Sequence, residues 1–248
     1  MQTLQLITLN IWGGHVHEPL LDFFEQHQDV DIFCLQEVYH QASEKTSTDD
    51  RRVYLDIFSE IQQKLPNHIG FFRPVVNGSY GIAAFVHQRV QVLEEGQREI
   101  HHSPDYSGMG ADHSRILQWL QCRHGDETFT VVNIHGLWNG QGKTDSAPRI
   151  AQSEKILEFL ACVHRPIILA GDFNLRPDTK SLAMLEQNFK NLITLNGITS
   201  TRTRFYPKDE LFADYILTSP EVAVQAFEVL KDEVSDHAPL LVLFAVSS

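Results

Sequence analysis

Nowhere in the 248-residue chain is there an apolar run long enough to cross a bilayer. Its opening residues, MQTLQLITLNIWGG, lack a basic segment and carry too short an apolar stretch for a secretory signal, so a cytoplasmic location is expected. Cysteine is scarce: Cys34, Cys122 and Cys162 are widely spaced, odd in number and set in apolar surroundings. That excludes a disulfide framework and predicts buried, reduced thiols. Basic residues are also in deficit, with 20 Lys and Arg against 32 Asp and Glu and a formal charge of −12. A chain of this balance has no broad grip on duplex nucleic acid. Phosphate substrates remain open, because carboxylates can gather round a cation while a few placed arginines hold an anion. Linkers, low-complexity runs and repeats are likewise absent, so residues 1–248 are expected to form one domain, and a monomer.

What is present is a series of short apolar strands that end in polar residues. The plainest is PIILAGDFNL, residues 166–175, in which Ile167 to Ala170 read as a buried strand and the chain passes through Gly171 into Asp172 and Asn174. An Asx turn would produce the same letters. The pattern gains weight because it recurs. A strand around Ile7–Ile11 carries Asn10 at its end, DIFCLQ at 31–36 runs into Glu37, and Phe129–Ile134 delivers His135. Asp214 precedes a strand at 215–217, and Ser235-Asp236-His237-Ala238-Pro239 precedes the last one.

Amphipathic helices are predicted over 18–28, 54–65 and 180–189, with a further one starting at Ser146-Ala147-Pro148 and turning Ile150, Ile156, Leu157, Phe159 and Leu160 inward. Strands near 69–72, 81–86, 90–99 and 116–122 follow one another without helices, which predicts antiparallel pairing. The polar stretch 40–52 reads as a loop, and 101–115, rich in His, Gly and Asp, as a mobile loop at an active-site rim. GLWNGQGKT, 136–144, imitates a P-loop, but the first Gly falls one residue early and the motif fails. Two arginines are candidate phosphate contacts: Arg149, in the first turn of the helix after His135, and Arg204, which alternates with Arg202 beside Phe205 and Tyr206.

The strand-end set is therefore Asn10, Glu37, His135, Asp172, Asn174, Asp214, Asp236 and His237. Oxygen ligands predominate and thiols are missing, which favours a hard cation such as Mg2+ or Mn2+ over structural zinc. With two histidines and two amides left over, this is the inventory for phosphoester hydrolysis.

The ordered segments LNIW (9–12), LQEV (35–38), NIHG (133–136), GDFNL (171–175), DYIL (214–217) and SDHAP (235–239) resemble the endonuclease/exonuclease/phosphatase, or DNase I-like, superfamily. The resemblance spans nearly the whole chain. It implies an α/β (α+β) fold, a four-layer αββα sandwich of two mainly antiparallel β-sheets packed face to face with helices outside. It also implies that Glu37 is the principal metal ligand, assisted by Asn10 and Asp236. Asp172 is then the residue that activates water, and Asn174 positions that water or a phosphate oxygen. His237, oriented by Asp214, and His135 would contact the phosphate from two sides. The implied activity is Mg2+- or Mn2+-dependent hydrolysis of a nucleotide, oligonucleotide or small diester by a phosphodiesterase, nuclease or phosphatase. A sphingomyelinase-type lipid headgroup phosphodiesterase and a non-catalytic binding module on the same fold are the alternatives. Trp12 stands where abasic-site endonucleases place an acid, so that repair activity is not expected.

Overall fold

Period-two alternation sorts the first strand onto two interiors at once. In the computed structural model, which describes residues 3–46, 51–106, 108 and 110–246, strand β1 is Leu4–Asn10 and β2 is Ile32–Tyr39. Leu4, Leu6, Ile32 and Cys34 face a second sheet, while Ile7, Leu9, Phe33 and Leu35 face helices α1, His17–Gln26, and α2, Ile57–Lys64. Both faces are dry, which is why these strands read as continuous apolar runs.

The other strands are β3 (His68–Val76), β4 (Tyr80–His87), β5 (Gln91–His101), β6 (Arg115–His124), β7 (Glu127–His135), β8 (Ile167–Asp172), β9 (Lys190–Asn191), β10 (Asp214–Thr218), β11 (Val222–Val229) and β12 (Leu240–Val246). They form two six-stranded sheets, ordered β11-β12-β1-β2-β4-β3 and β5-β6-β7-β8-β10-β9. Helices α3 (Ala147–Leu160), α4 (Lys180–Glu186) and α5 (Leu192–Leu195) bury Ile156, Leu160, Leu182, Leu185, Leu192 and Ile193 in the core of the second sheet. The result is the αββα sandwich.

Each sheet holds one parallel pair, β1–β2 in the first and β7–β8 in the second, and every other pairing is antiparallel. Both parallel pairs arise from strand-helix-strand units. Their carboxyl ends carry Asn10, Glu37, His135 and Asp172. The antiparallel neighbours β10 and β12 then start at the same edges, with Asp214 opposite Asp172 and Leu240 opposite Thr8.

Between the sheets lies a buried polar lock. The Gln36 amide donates to Asn133 Oδ1 at 2.7 Å, and Asn133 Nδ2 donates to the Ala83 and Leu35 carbonyls at 3.0 and 3.2 Å. Gln36 precedes Glu37 and Asn133 lies two residues before His135, so the lock sets the relative height of the two strand ends.

Two expectations change. Cys34 and Cys122 are buried, but Cys162 is exposed, because it lies in the turn that follows α3 rather than on the face packed against the sheet. The buried stripe of α3 is Arg149, Gln152, Ser153, Ile156 and Leu160, whereas Ile150, Leu157 and Phe159 are only half-buried. That rotation follows from two polar side chains that hold the preceding loop. Parts of the loops predicted at 40–52 and 101–115, namely 47–50, 107 and 109, lie outside the described residues.

Gly171 is a point of very close strand approach in the second sheet. Its φ is +142°, and a Cβ there would sit 2.0 Å from the Ile134 carbonyl oxygen of β7. Gly171→Ala is expected to destabilise the protein by about 3 kcal/mol or more through backbone strain and overpacking. Urea denaturation followed by circular dichroism would read this as a lower midpoint with an unchanged slope.

Candidate active site

The strand ends converge on a cavity of about 280 Å³, bordered by Glu37, His135, Asp172, Asn174, Asp236 and His237. Three of the functional groups share one row of the second sheet: His135 is paired with Asp172, and Asp172 with Asp214. Glu37 projects from a break in the β2–β4 register and adopts a left-handed φ of +56°. Such a conformation in a non-glycine residue re-aims the side chain at a bulge.

Asn10 stands behind these groups. Its side-chain Nδ2 donates to Glu37 Oε1 at 3.2 Å and to Asp172 Oδ2 at 3.0 Å, and its side-chain Oδ1 accepts from the Trp12 backbone amide at 3.0 Å. One side chain thereby ties the end of the first sheet to the end of the second. Asp172 Oδ1 accepts from the Asn174 amide at 2.8 Å, and the Asn174 side chain donates to the Gly136 carbonyl at 3.2 Å. His135 Nε2 and His237 Nε2 lie 3.9 and 3.7 Å from Asp172 Oδ2. His237 Nδ1 lies 2.8 and 2.9 Å from the two oxygens of Asp214, and Asp214 Oδ2 also accepts from Thr201 Oγ1 at 2.9 Å.

The charges are set by these neighbours. Burial would push the Asp172 carboxyl up, but His237, His135, Lys143 and Arg202 outweigh it and hold the group well below the usual carboxylate range. Burial, followed by the Arg115 guanidinium, pushes the His135 imidazole well below its ordinary value, so it is neutral at pH 7. His237 is pressed downward by burial and by Arg202, yet Asp214, Asp236 and Asp172 prevail and its pKa is raised. The floor of the cavity thus pairs a committed anion with one neutral and one basic imidazole. Ligand atoms of Asp172, Asp214 and His237 lie within 4.8 Å of one another, a spacing that could hold a metal ion.

The sequence profile of the Endonuclease/Exonuclease/phosphatase family matches residues 7–237. The chain belongs to this family. Among solved structures, a family protein from Bacteroides thetaiotaomicron superposes with a TM-score of 0.74 at 22% identity, covering 99% of this chain and 96% of that one. A mannosyl-6-phosphatase from the same organism gives 0.72 at 22% identity, over 98% and 99% of the two chains. The catalytic domain of human Nocturnin, with a bound sulfate anion, gives 0.72 at 20% identity, over 99% and 94%. No curated protein matches the sequence. At these identities the structural likeness is one of fold.

In this member of the endonuclease/exonuclease/phosphatase family both arginines picked from the sequence stand away from the cavity. Arg149 is buried, but its guanidinium donates to the carbonyls of Leu137, Gly142 and Thr144 at 3.3, 2.6 and 2.5 Å. It clamps the loop after His135, with Gln152 accepting from the Leu137 amide at 2.9 Å. Arg204 points outward onto Glu233 at 2.9 Å, because a turn through Thr203 and Tyr206 reverses the chain there. The cations that border the cavity are Arg51, Arg115, Lys143, Arg202 and Lys208. Arg202 was visible as the partner of Arg204 in an Arg-Thr-Arg run, and Lys143 sits in the failed P-loop imitation. Arg115 opens β6 with no local signal.

Asp214→Asn removes the charge that most favours the His237 imidazolium, so the His237 pKa should fall. Imidazole NMR titration of wild type and variant checks this; an unchanged or higher value would contradict the electrostatic assignment.

Proposed function

We propose that the protein is a metal-dependent hydrolase of phosphoester bonds in which Asp172 activates the attacking water. The observation that carries the reading is the Asp172 carboxylate, kept anionic in a buried position within 4 Å of two imidazoles, at the floor of a cavity that Glu37 borders. A general base must be ionised at the working pH and close to the proton it takes.

Glu37, with Asn10 and Asp236, would hold the cation. The donor set fits: it is all oxygen, from carboxylates and an amide, which suits a hard cation such as Mg2+ or Mn2+. Bound there, such an ion supplies positive charge against the phosphoryl oxygens. This assignment is preferred over Asp172, Asp214 and His237 because it keeps the short contacts of Asp214 to His237 Nδ1, 2.8 and 2.9 Å, whereas the contacts a cation would replace on Glu37 and Asp236, from Arg51 at 3.3 Å and Arg202 at 3.4 Å, are longer.

The remaining steps belong to the chain's own residues. Asp172 accepts the proton of the water, and Asn174, anchored to Gly136, orients the water or a phosphate oxygen. His237 donates from Nε2 as charge builds on the phosphoryl group, while Asp214 fixes its ring and keeps Nδ1 protonated. The neutral His135 offers a hydrogen bond from the other side without adding charge. Since one neighbour is a mannosyl-6-phosphatase, phosphomonoesters join diesters among the substrates considered.

Asp172→Asn and His237→Ala should each lower kcat/KM about 100-fold or more. EDTA should abolish turnover, and Mg2+ or Mn2+ should restore it. A panel of nucleotides, sugar phosphates, oligonucleotides and choline phospholipids is the assay. Absence of hydrolysis with every cation and substrate would turn the reading toward a binding module. A second prediction concerns pH. If protonated His237 is the donor, activity is lost as pH rises through its raised pKa, so Asp214→Asn should move the alkaline limb of the kcat/KM profile to lower pH.

A further inference from the structure

Among the described residues, five cations border the cavity of a chain whose net charge is −12, against the three carboxylates Glu37, Asp172 and Asp236. A hard cation on Glu37 would enlarge the surplus. One phosphodiester carries a single negative charge and would leave part of that surplus unanswered.

Two of the cations are built into the walls. Lys143 is 1% exposed, and its Nζ has no hydrogen-bond partner among the described residues. Its backbone is held on both sides, with the amide donating to Glu210 at 3.2 Å and the carbonyl accepting from Arg176 at 2.9 Å. Arg202 is fixed by a bridge to His237 and by the Thr203 amide on the Asp236 carbonyl at 3.3 Å. Its Nη1 reaches Asp236 at 3.4 Å, and its Nε is without a partner among the described residues. Both lie against one ring, Arg202 at 3.9 Å and Lys143 at 5.4 Å from the centroid of Tyr206. Tyr206 in turn donates to Glu210 at 3.4 Å. Burying an ammonium beside a guanidinium is costly unless an anion joins them.

We propose that Lys143, Arg202 and Tyr206 form a second anion subsite, which binds a phosphate or carboxylate of the substrate other than the phosphoryl group being hydrolysed. The preferred substrate is then a small, multiply anionic phosphoester. The identification of a second group as a substrate feature rests on the hydrolase reading above. A cavity of about 280 Å³ is of small-ligand size. A choline headgroup fits less well, because quaternary ammonium ions seek open aromatic faces. Tyr206 already carries Arg202, and Trp138 has Lys208 Nζ 5.2 Å from its centroid.

The test is calorimetric titration in EDTA, with thymidine 3′,5′-bisphosphate and thymidine 5′-phosphate as a matched pair of probes. Wild type should prefer the bisphosphate by at least about tenfold, the value of one good charge-assisted contact. In Lys143→Gln that preference should collapse toward unity, with monophosphate affinity kept within about twofold. Arg202→Gln should do the same and serves as the second variant if the first does not fold, as judged by circular dichroism. Equal affinity for the two probes in wild type, no binding of either, or equal weakening of both by Lys143→Gln overturns the subsite. Binding in EDTA needs no turnover, so an inactive protein that keeps the bisphosphate preference would sink the hydrolase reading and leave the subsite standing.

Discussion

The contact on which the site depends is the Asn10 amide, which reaches Glu37 and Asp172 from a single nitrogen. Those two carboxylates stand at the ends of strands in different sheets, and nothing in either sheet alone would bring them together. Two like charges at one buried mouth repel, so they need shared donors. Asn10 supplies one without adding a charge, and His237, Lys143 and Arg202 supply the positive field that keeps Asp172 ionised.

That arrangement is possible because the sandwich repeats one device. In each sheet a strand-helix-strand unit makes a parallel pair, and its carboxyl ends open on the same rim. Antiparallel neighbours then feed Asp214 and His237 into the rim from their amino ends. The Gln36–Asn133 lock fixes the depth at which the two rims meet. Any shift in register by one residue would turn the functional row of His135, Asp172 and Asp214 toward the wrong face.

The electrostatics explain how an acidic protein can handle anions. Carboxylates are spread over the surface, while the cavity gathers cations from four separate parts of the chain. Net charge governs encounter with large polyanions, whereas the charged walls of a cavity govern what is held once inside.

The sequence by itself determined the strand ends. Short apolar runs terminated by Asn, Glu, His or Asp are local features, and stiff strands deliver such residues wherever the sheet ends. Family membership was legible for the same reason, since six segments in order carry the rim groups. What only the tertiary structure decided was which cationic residues turn inward. Arg149 and Arg204 looked like phosphate contacts, but a guanidinium goes to the nearest acceptors that need it. For Arg149 those were three loop carbonyls, and for Arg204 an exposed carboxylate past a turn. Lys143, Arg115 and Arg202 took the cavity instead, because where such side chains point depends on packing between segments distant in the chain, which no local pattern encodes.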